Sequence, residues 1–156
     1  MGELEKDYFL VVLDYDLNHD EAVLKAAEPY AGRVEILVNE VCYPGCVKRA
    51  EHYTQQSRLQ LEFDVNTGFP CPHKTGERTF EDCKRRPSFV SNREVSELAE
   101  RGFVNFKIVG RGMPQSFVEE SYLYYLVKEE QQDFIRGKID GLMQQFRSAM
   151  SVQRRR

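Results

Sequence analysis

Short apolar runs alternate with amphipathic stretches along this chain, and the alternation predicts an α/β fold. Three runs carry β-branched and aromatic residues on both faces, namely Tyr8–Leu13, Val34–Val38 and Phe103–Val109. Strands that are apolar on both faces are typical of a parallel sheet covered by helices. The first two runs and the stretch between them span about 30 residues, which is the length of a strand–helix–strand unit.

Capping and turn residues predict where the helices begin and end. Asn18 with Glu21 has the spacing of a capping box, and Gly32 stands at the expected end of that first helix. Ser91 with Glu94 repeats the capping-box spacing before a helix that should end at Gly102. Two further helices are predicted after Pro114, and the last has an apolar stripe formed by Ile135, Ile139, Leu142, Met143, Phe146 and Met150.

Residues 40–90 interrupt this regular pattern. Residues 47–63 have loose helical spacing, whereas residues 64–87 contain prolines, glycines and mixed charges. A long stretch of weak periodicity within a compact domain is commonly functional. We therefore expect a single α/β domain over residues 1–156, with an insertion at about 40–90 that bears the cysteines.

Charge and composition narrow the range of functions. A net charge of −3 argues against a bulk nucleic-acid binder, although Lys84–Arg86 and Arg154–Arg156 are basic clusters. Such clusters are more often solvated surface than RNA contacts. The first apolar run follows acidic residues and is far shorter than the roughly 20 residues that a bilayer requires. We expect no membrane association and a reducing cytoplasmic location, where cysteines do not pair as disulfides.

The four cysteines form the main chemical pattern. Cys42 and Cys46 are a C-x3-C pair, and Cys71 and Cys83 follow with eleven residues between them. Four thiolates suit either tetrahedral zinc or a [4Fe–4S] cluster. His52 or His73 could replace one of the thiolates. The alternative is four unrelated thiols, because free cysteines are often buried.

Polar residues that follow the predicted strands form a second candidate group. The carboxyl ends of parallel strands meet at one edge, where α/β proteins bind ligands. We expect one polar catalytic cleft beside the metal, lined by Asn39, Glu40, Arg49, His52, Lys107 and Arg111. Lys107 lies within an apolar strand, so a buried ion pair with Glu40 is expected. The simpler alternative is that Asn39 and Glu40 only cap or close a loop.

Three motifs in this order resemble the collagenase-like peptidase family U-thirty-two. They are the Asp16-Leu17-Asn18 segment, residues 35–53 (EILVNEVCYPGCVKRAEHY), and residues 106–114 (FKIVGRGMP). Val41, Val47 and His19 stand where that family usually has glycine, proline and arginine. The resemblance implies that the chain matches the C-terminal part of a (β/α)8-type barrel.

The resemblance also implies a chemistry. Better-understood relatives are hydroxylation proteins for tRNA or rRNA bases and for ubiquinone, and they bind a [4Fe–4S] cluster through four cysteines. It therefore favours iron–sulfur over zinc and hydroxylation over proteolysis, with RNA or a small aromatic molecule as substrate. The alternatives are a metal-stabilised peptidase-like protein and a non-catalytic module or subunit that binds zinc.

Three strands do not close a barrel, so we expect something to cover the sheet. An N-terminal barrel partner or a second copy of the chain could do so. The last two helices, whose apolar stripes are long, could instead cover one face.

Overall fold

The computed structural model describes residues 2, 4, 6–62, 68–71, 79–110 and 112–153. The chain folds into three short strands and six α-helices in these ranges. In chain order they are β1 (Val11–Val12), α1 (Glu21–Ala27), β2 (Val34–Leu37), α2 (Arg49–Glu62), α3 (Phe80–Lys84), α4 (Asn92–Glu100), β3 (Asn105–Lys107), α5 (Gln115–Leu126) and α6 (Glu129–Gln153). Two 3₁₀ turns, Tyr15–Leu17 and Glu28–Arg33, flank α1.

The three strands form a parallel sheet in the order β1-β2-β3. This confirms the α/β class and the parallel pairing, but each strand is shorter than its apolar run. The start of the first run is not paired, and Phe9 is almost fully exposed. That segment is held instead by Arg33, whose guanidinium donates to the backbone carbonyls of Leu4, Lys6 and Tyr8.

The helix boundaries follow local capping chemistry. Ser91 and Glu94 form the complete capping box that the spacing predicts for α4. Gly102 follows that helix with a φ of 96°, a conformation that favours glycine. The predicted N-cap of α1 is wrong, because Asp20 caps the helix through the backbone N–H of Val23. Asn18 is buried instead, and its amide donates to the carbonyls of Leu37 and Ser88.

Two apolar clusters hold the helices against one face of the sheet. The first contains Val34, Ile36 and Val38 of the central strand and its extension, all at most 1% exposed, together with Leu24, Val90, Leu98 and Phe103. The second is aromatic and joins α3 to α5 through Phe80, Phe89 and Phe117. The sequence pattern did not predict helix α3, whose N-cap is Thr79.

The opposite face of the sheet is largely uncovered. Paired residues of a parallel ladder share a face, so Val12, Glu35 and Lys107 all lie on this side. Val12 is 51% exposed, and the Lys107 ammonium lies 3.1 Å from the Glu35 carboxylate. The expected buried ion pair between Lys107 and Glu40 is therefore wrong, because the strand is covered on only one side.

Helix α6 does not cover that open face. It packs beside α5, and Arg136 bridges the two helices by binding the Glu120 carboxylate at 2.8 and 2.9 Å. The alternative in which both of the last two helices cover the sheet is therefore not borne out for α6, whereas α5 buries Phe117 and Leu123 in the apolar interior. No helix among the described residues is long and apolar enough to cross a membrane.

Candidate metal centre at the carboxyl end of the sheet

Asn39 follows β2, and its side chain makes the two hydrogen bonds to the neighbouring strand end that backbone groups make elsewhere in the sheet. Its Oδ1 accepts from the backbone N–H of Val109 at 2.6 Å, and its Nδ2 donates to the Val109 carbonyl at 3.0 Å. The same Nδ2 donates to the Ser121 hydroxyl of α5 at 3.1 Å. Asn39 is fully buried. The buried side chain therefore acts as a strut: it joins β2, the end of β3 and α5. It is not accessible to a substrate.

Glu40 shapes the next turn. Its Oε1 accepts from the backbone N–H groups of Val41 and Cys42, at 2.8 and 3.0 Å. The residue is 8% exposed. Because the carboxylate folds back on the two residues that follow it, Glu40 sets the direction in which the chain enters the cysteine loop.

The loop from Cys42 to Cys46 is a tight turn anchored to the segment after β1. Gly45 has a φ of 66° and donates its backbone N–H to Asp16 Oδ2 at 2.9 Å. The backbone N–H of Cys46 donates to the Tyr43 carbonyl at 3.3 Å. The C-x3-C spacing is thus a closed turn that presents both thiols from one short loop.

Arg49, the first residue of α2, holds this anchor in place. Its guanidinium donates to both carboxylate oxygens of Asp14 at 2.8 and 2.9 Å and also binds Asp16. It lies over the ring of Tyr15, 4.4 Å from the centroid. Arg49 is therefore engaged in a structural network, with most of its donors already paired.

The Cys42 thiol lies within electrostatic reach of both Cys46 and Cys71. Burial raises the pKa of the Cys42 thiol, and the negative charges of Glu40, Cys46 and Cys71 raise it further, against a lowering contact from Tyr15. Cys42, Cys46 and Cys71 are all partly exposed. The described structure therefore brings the thiol of Cys71 to the same side of the molecule as the C-x3-C loop.

Cys83 contacts the chain just after β2, where the cysteine loop begins. Its thiol lies on α3 and donates to the Asn39 carbonyl at 3.2 Å, with the Glu40 carbonyl at 3.8 Å. It is 1% exposed, and burial together with the Glu40 charge raises its pKa to about 12. The Cys83 thiol is thus directed at the residues that precede the cysteine loop.

The other candidate residues lie around this edge or away from it. The ring of His52 stacks on Phe69 with centroids 4.6 Å apart, two residues before Cys71. Lys107 lies on the open face of the sheet, bound to Glu35 rather than to the cleft. Arg111 and His73 lie outside the described residues. Lys107 is therefore not part of the predicted cleft of six polar residues. The place of Arg111 in that cleft stays a prediction.

Three buried polar groups at this edge were not predicted as site residues. The Tyr15 hydroxyl, Asp16 Oδ1 and Arg86 Nε are buried and form no well-aligned hydrogen bond with the described residues. Tyr15 is 5% exposed, and its hydroxyl lies close enough to Cys42 and Tyr53 to affect their pKa values. The sequence could have indicated Tyr15 and Asp16 as site residues, because residues 14–16 come soon after β1, at the edge of a parallel sheet where ligands bind.

The donor set fits a soft metal by its chemistry, since thiolates are the ligands that zinc and iron–sulfur clusters prefer. Among the described residues, however, no group of three or more His, Cys, Asp or Glu side chains is gathered closely enough to hold an ion. A bound ion would have to draw the thiols together. Comparisons of the chain with protein-family models, curated proteins and solved structures find no match.

Proposed function

We propose that this chain binds a [4Fe–4S] cluster through Cys42, Cys46, Cys71 and Cys83 and serves a redox or hydroxylation reaction. The observation that carries the proposal is the position of the four thiols relative to one strand end. Cys83 contacts the carbonyl of Asn39, the C-x3-C turn begins three residues later, and the charge of Cys71 reaches Cys42.

The resemblance to the U-thirty-two family supports iron–sulfur over zinc. The parallel strand order and the position of the candidate residues after β1 and β2 are compatible with the C-terminal part of a (β/α)8-type barrel. A cytoplasmic, reducing compartment would keep the thiols available for the metal. When bound, a cluster of this kind supplies one-electron transfer.

The protein side chains would build the surroundings of that centre. Glu40 holds the backbone of the cysteine loop, and Arg49 fixes the loop to the segment after β1 through Asp14 and Asp16. The buried hydroxyl of Tyr15 lies beside the Cys42 thiol, so it could hydrogen-bond to that ligand of the centre.

Aromatic side chains near the loop suit a planar substrate such as an RNA base or a small aromatic molecule. Tyr43 and Tyr53 are 36% and 49% exposed, and the guanidinium of Arg86 lies 4.7 Å from the ring centroid of Tyr43. Exposed aromatic rings beside an arginine are a common platform for stacking nucleobases. This surface supports the choice of substrate class and does not distinguish between its two members.

A non-catalytic zinc module is the second candidate, and one observation favours it. Asn39, Glu40 and Arg49 are all engaged in contacts that hold the fold, so few described polar groups at this edge remain for catalysis. A structural site of four thiolates would also match tetrahedral zinc. A peptidase is less well supported, because thiolates that bind a metal cannot also act as the nucleophile of a protease.

Anaerobic purification with metal and sulfide analysis tests the proposal. We expect a brown protein with absorbance near 400 nm and about four iron and four sulfide per chain. Cys42→Ser and Cys71→Ser should each lose the colour and the iron. Ser96→Ala, a surface change on α4 whose hydroxyl binds only the Asn92 carbonyl in the described structure, is the control. A colourless protein with one zinc per chain would support the zinc module instead, and a metal-free anaerobic protein would contradict both.

A further inference from the structure

Cys42 and Cys46 flank one tight turn. The backbone N–H of Cys46 donates to the Tyr43 carbonyl at 3.3 Å and closes the turn, and Cys42 directly precedes its first residue. The first and last residues of a β-turn lie within about 7 Å of each other. Gly45 has a left-handed φ of 66°, and its N–H donates to Asp16 Oδ2 at 2.9 Å. The fold therefore holds the two cysteines near each other.

Both thiols of the turn can react. Cys42 and Cys46 are partly exposed, and the Cys42 thiol lies within electrostatic reach of Cys46. A disulfide joins residues whose Cα atoms lie about 4.4–6.8 Å apart, which is the range found across a tight turn. The C-x3-C loop is therefore suited to close on itself as well as to present thiols to a metal.

The other two cysteines are placed differently. Cys83 is 1% exposed, and its thiol donates to the Asn39 carbonyl at 3.2 Å, so a dissolved oxidant does not reach it. The charge of Cys71 reaches Cys42, but about 30 residues of chain separate the two. Closing a loop of that length is roughly tenfold less favourable than closing a loop of about five residues. Cys46 is therefore the favoured partner of Cys42.

Charge around the turn favours a neutral product. The negative charges of Glu40 and Cys46 disfavour a negative charge on Cys42. Two thiolates in one turn would repel each other, whereas a disulfide carries no charge. A bound metal cation and a disulfide are thus two alternative ways to relieve the same repulsion.

We propose that Cys42 and Cys46 form a reversible dithiol–disulfide pair in the metal-free chain, and that the disulfide blocks metal uptake. The disulfide does not depend on the proposed function, whereas the block to metal uptake rests on it. Disulfides of this kind in reducing compartments are usually transient and redox-sensing.

The oxidant is a small-molecule disulfide such as oxidised glutathione. The thiolate of one cysteine attacks a glutathione sulfur and releases one glutathione thiolate. The thiolate of the other cysteine then attacks the protein sulfur of this mixed disulfide and releases the second glutathione. The two cysteine thiols give up two electrons and two protons, and one oxidised glutathione becomes two glutathione thiols.

Tryptic mapping of the full chain distinguishes the possible pairs. The chain is treated with a chelator, equilibrated with reduced and oxidised glutathione, alkylated with N-ethylmaleimide in denaturant and digested. Cys42 and Cys46 share the peptide 34–48, whereas Cys71 and Cys83 lie in peptides 59–74 and 79–84. We expect peptide 34–48 to lose two hydrogens and carry no alkyl group, and the other two peptides to carry one each. A cross-link between 34–48 and 59–74, or a persistent glutathione adduct on 34–48, would overturn the pairing.

A glycine variant tests whether the turn organises the pair. Gly45→Ala should lower the equilibrium constant for disulfide formation by roughly fivefold or more, because alanine disfavours the left-handed conformation. Gly137→Ala in α6 is the matched control and should leave the constant unchanged. A Cβ at either position meets nothing within 4 Å, so the comparison isolates backbone conformation. Equal constants in the two variants would overturn the role of the turn.

Zinc uptake tests the block to metal binding. The reduced chain should bind zinc, and the oxidised chain should bind none until a phosphine reductant restores its thiols. An oxidised chain that binds as much zinc as the reduced chain would overturn the block. A reduced chain that binds neither zinc nor iron would overturn the metal centre together with the block, whereas the tryptic mapping would still decide the disulfide.

Discussion

The side-chain amide of Asn39 donates to the Ser121 hydroxyl at 3.1 Å, although 82 residues separate the two in sequence. Together with the two bonds to Val109, this contact joins β2, the end of β3 and α5 at one buried point. Replacing Asn39 by Ala would leave the Val109 backbone and the Ser121 hydroxyl without these partners. We expect a loss of about 2–4 kcal/mol in the free energy of unfolding, measured by urea titration.

Asn105→Ala is the matched control for that experiment. Asn105 also joins distant backbone through its amide, which donates to the Gly32 carbonyl at 2.9 Å, but this bond is exposed. Water can replace it, so the expected loss is under about 1 kcal/mol. Equal losses in the two variants would contradict the strut role of Asn39.

Two neighbouring tyrosines on α5 provide a second test. The Tyr125 hydroxyl lies 3.0 Å from the Val38 carbonyl and 2.8 Å from the Val90 carbonyl, and burial raises its pKa. Tyr125→Phe should lower the free energy of unfolding by about 1–2 kcal/mol, because these carbonyls lose a buried donor. Tyr122→Phe removes a hydroxyl from a half-exposed ring and should change it by less than about 0.5 kcal/mol. Similar values for both would show that the Tyr125 hydroxyl does not hold the strand end.

Glu40 allows its loop-shaping role to be separated from any proton transfer. Glu40→Gln keeps an oxygen that can accept from Val41 and Cys42, so its melting temperature and bound metal should stay near those of the wild type. Glu40→Ala removes both bonds and should cost about 1–3 kcal/mol and part of the metal. Thermal melts with metal analysis measure these effects. Loss of metal in Glu40→Gln would mean that the charge, rather than the hydrogen bonds, maintains the site.

The Asp14–Arg49 pair predicts a dependence of stability on acid. Burial works to raise the pKa of Asp14, but the backbone N–H of Asp16 and the Arg49 guanidinium outweigh it, so the pKa is lowered. A carboxyl with a lowered pKa stabilises the fold above its unfolded value near 3.8, and this contribution is lost as the pH falls through the lower, folded value. Asp14 is half exposed, so the effect should be under about 1 kcal/mol.

Unfolding by urea at pH 6 and at pH 3 measures that contribution. Arg49→Met and Asp14→Asn should each reduce the loss of stability between the two pH values. If both variants lose as much stability on acidification as the wild type, the pair does not contribute to acid sensitivity.

The fold was predictable where a signal is local. The capping box of Ser91 and Glu94 depends on two side chains three residues apart, and the structure has it as predicted. Strand lengths were not predictable, because an apolar run such as Tyr8–Leu13 does not reveal which of its residues find a hydrogen-bonding neighbour. Lys107 was misjudged for the same reason, since its exposure depends on the missing cover on one face of the sheet.

The candidate site was predictable in outline but not in the roles of its residues. Strand ends correctly identified Asn39 and Glu40 as residues of the carboxyl edge. Asn39 binds Val109 and Ser121, which lie 70 and 82 residues away, so these partners depend on tertiary geometry that sequence spacing does not encode. Glu40 binds the backbone N–H of Cys42 two residues on, through a turn that the strand pattern did not specify. Tyr15 was missed because a tyrosine after a strand reads as an ordinary core residue.

The stretch from the start of α2 to the end of α3 is held at both ends to the carboxyl edge of the sheet. Arg49 ties its start to Asp14 and Asp16, and the Cys83 thiol ties its finish to the Asn39 carbonyl. The sheet therefore does not depend on the length of chain between these two points, and the entropy of closing such a loop grows only slowly with length. Insertions or deletions between residues 63 and 78 that keep Cys71 should therefore leave the sheet intact, so the length of this span can change without loss of the fold.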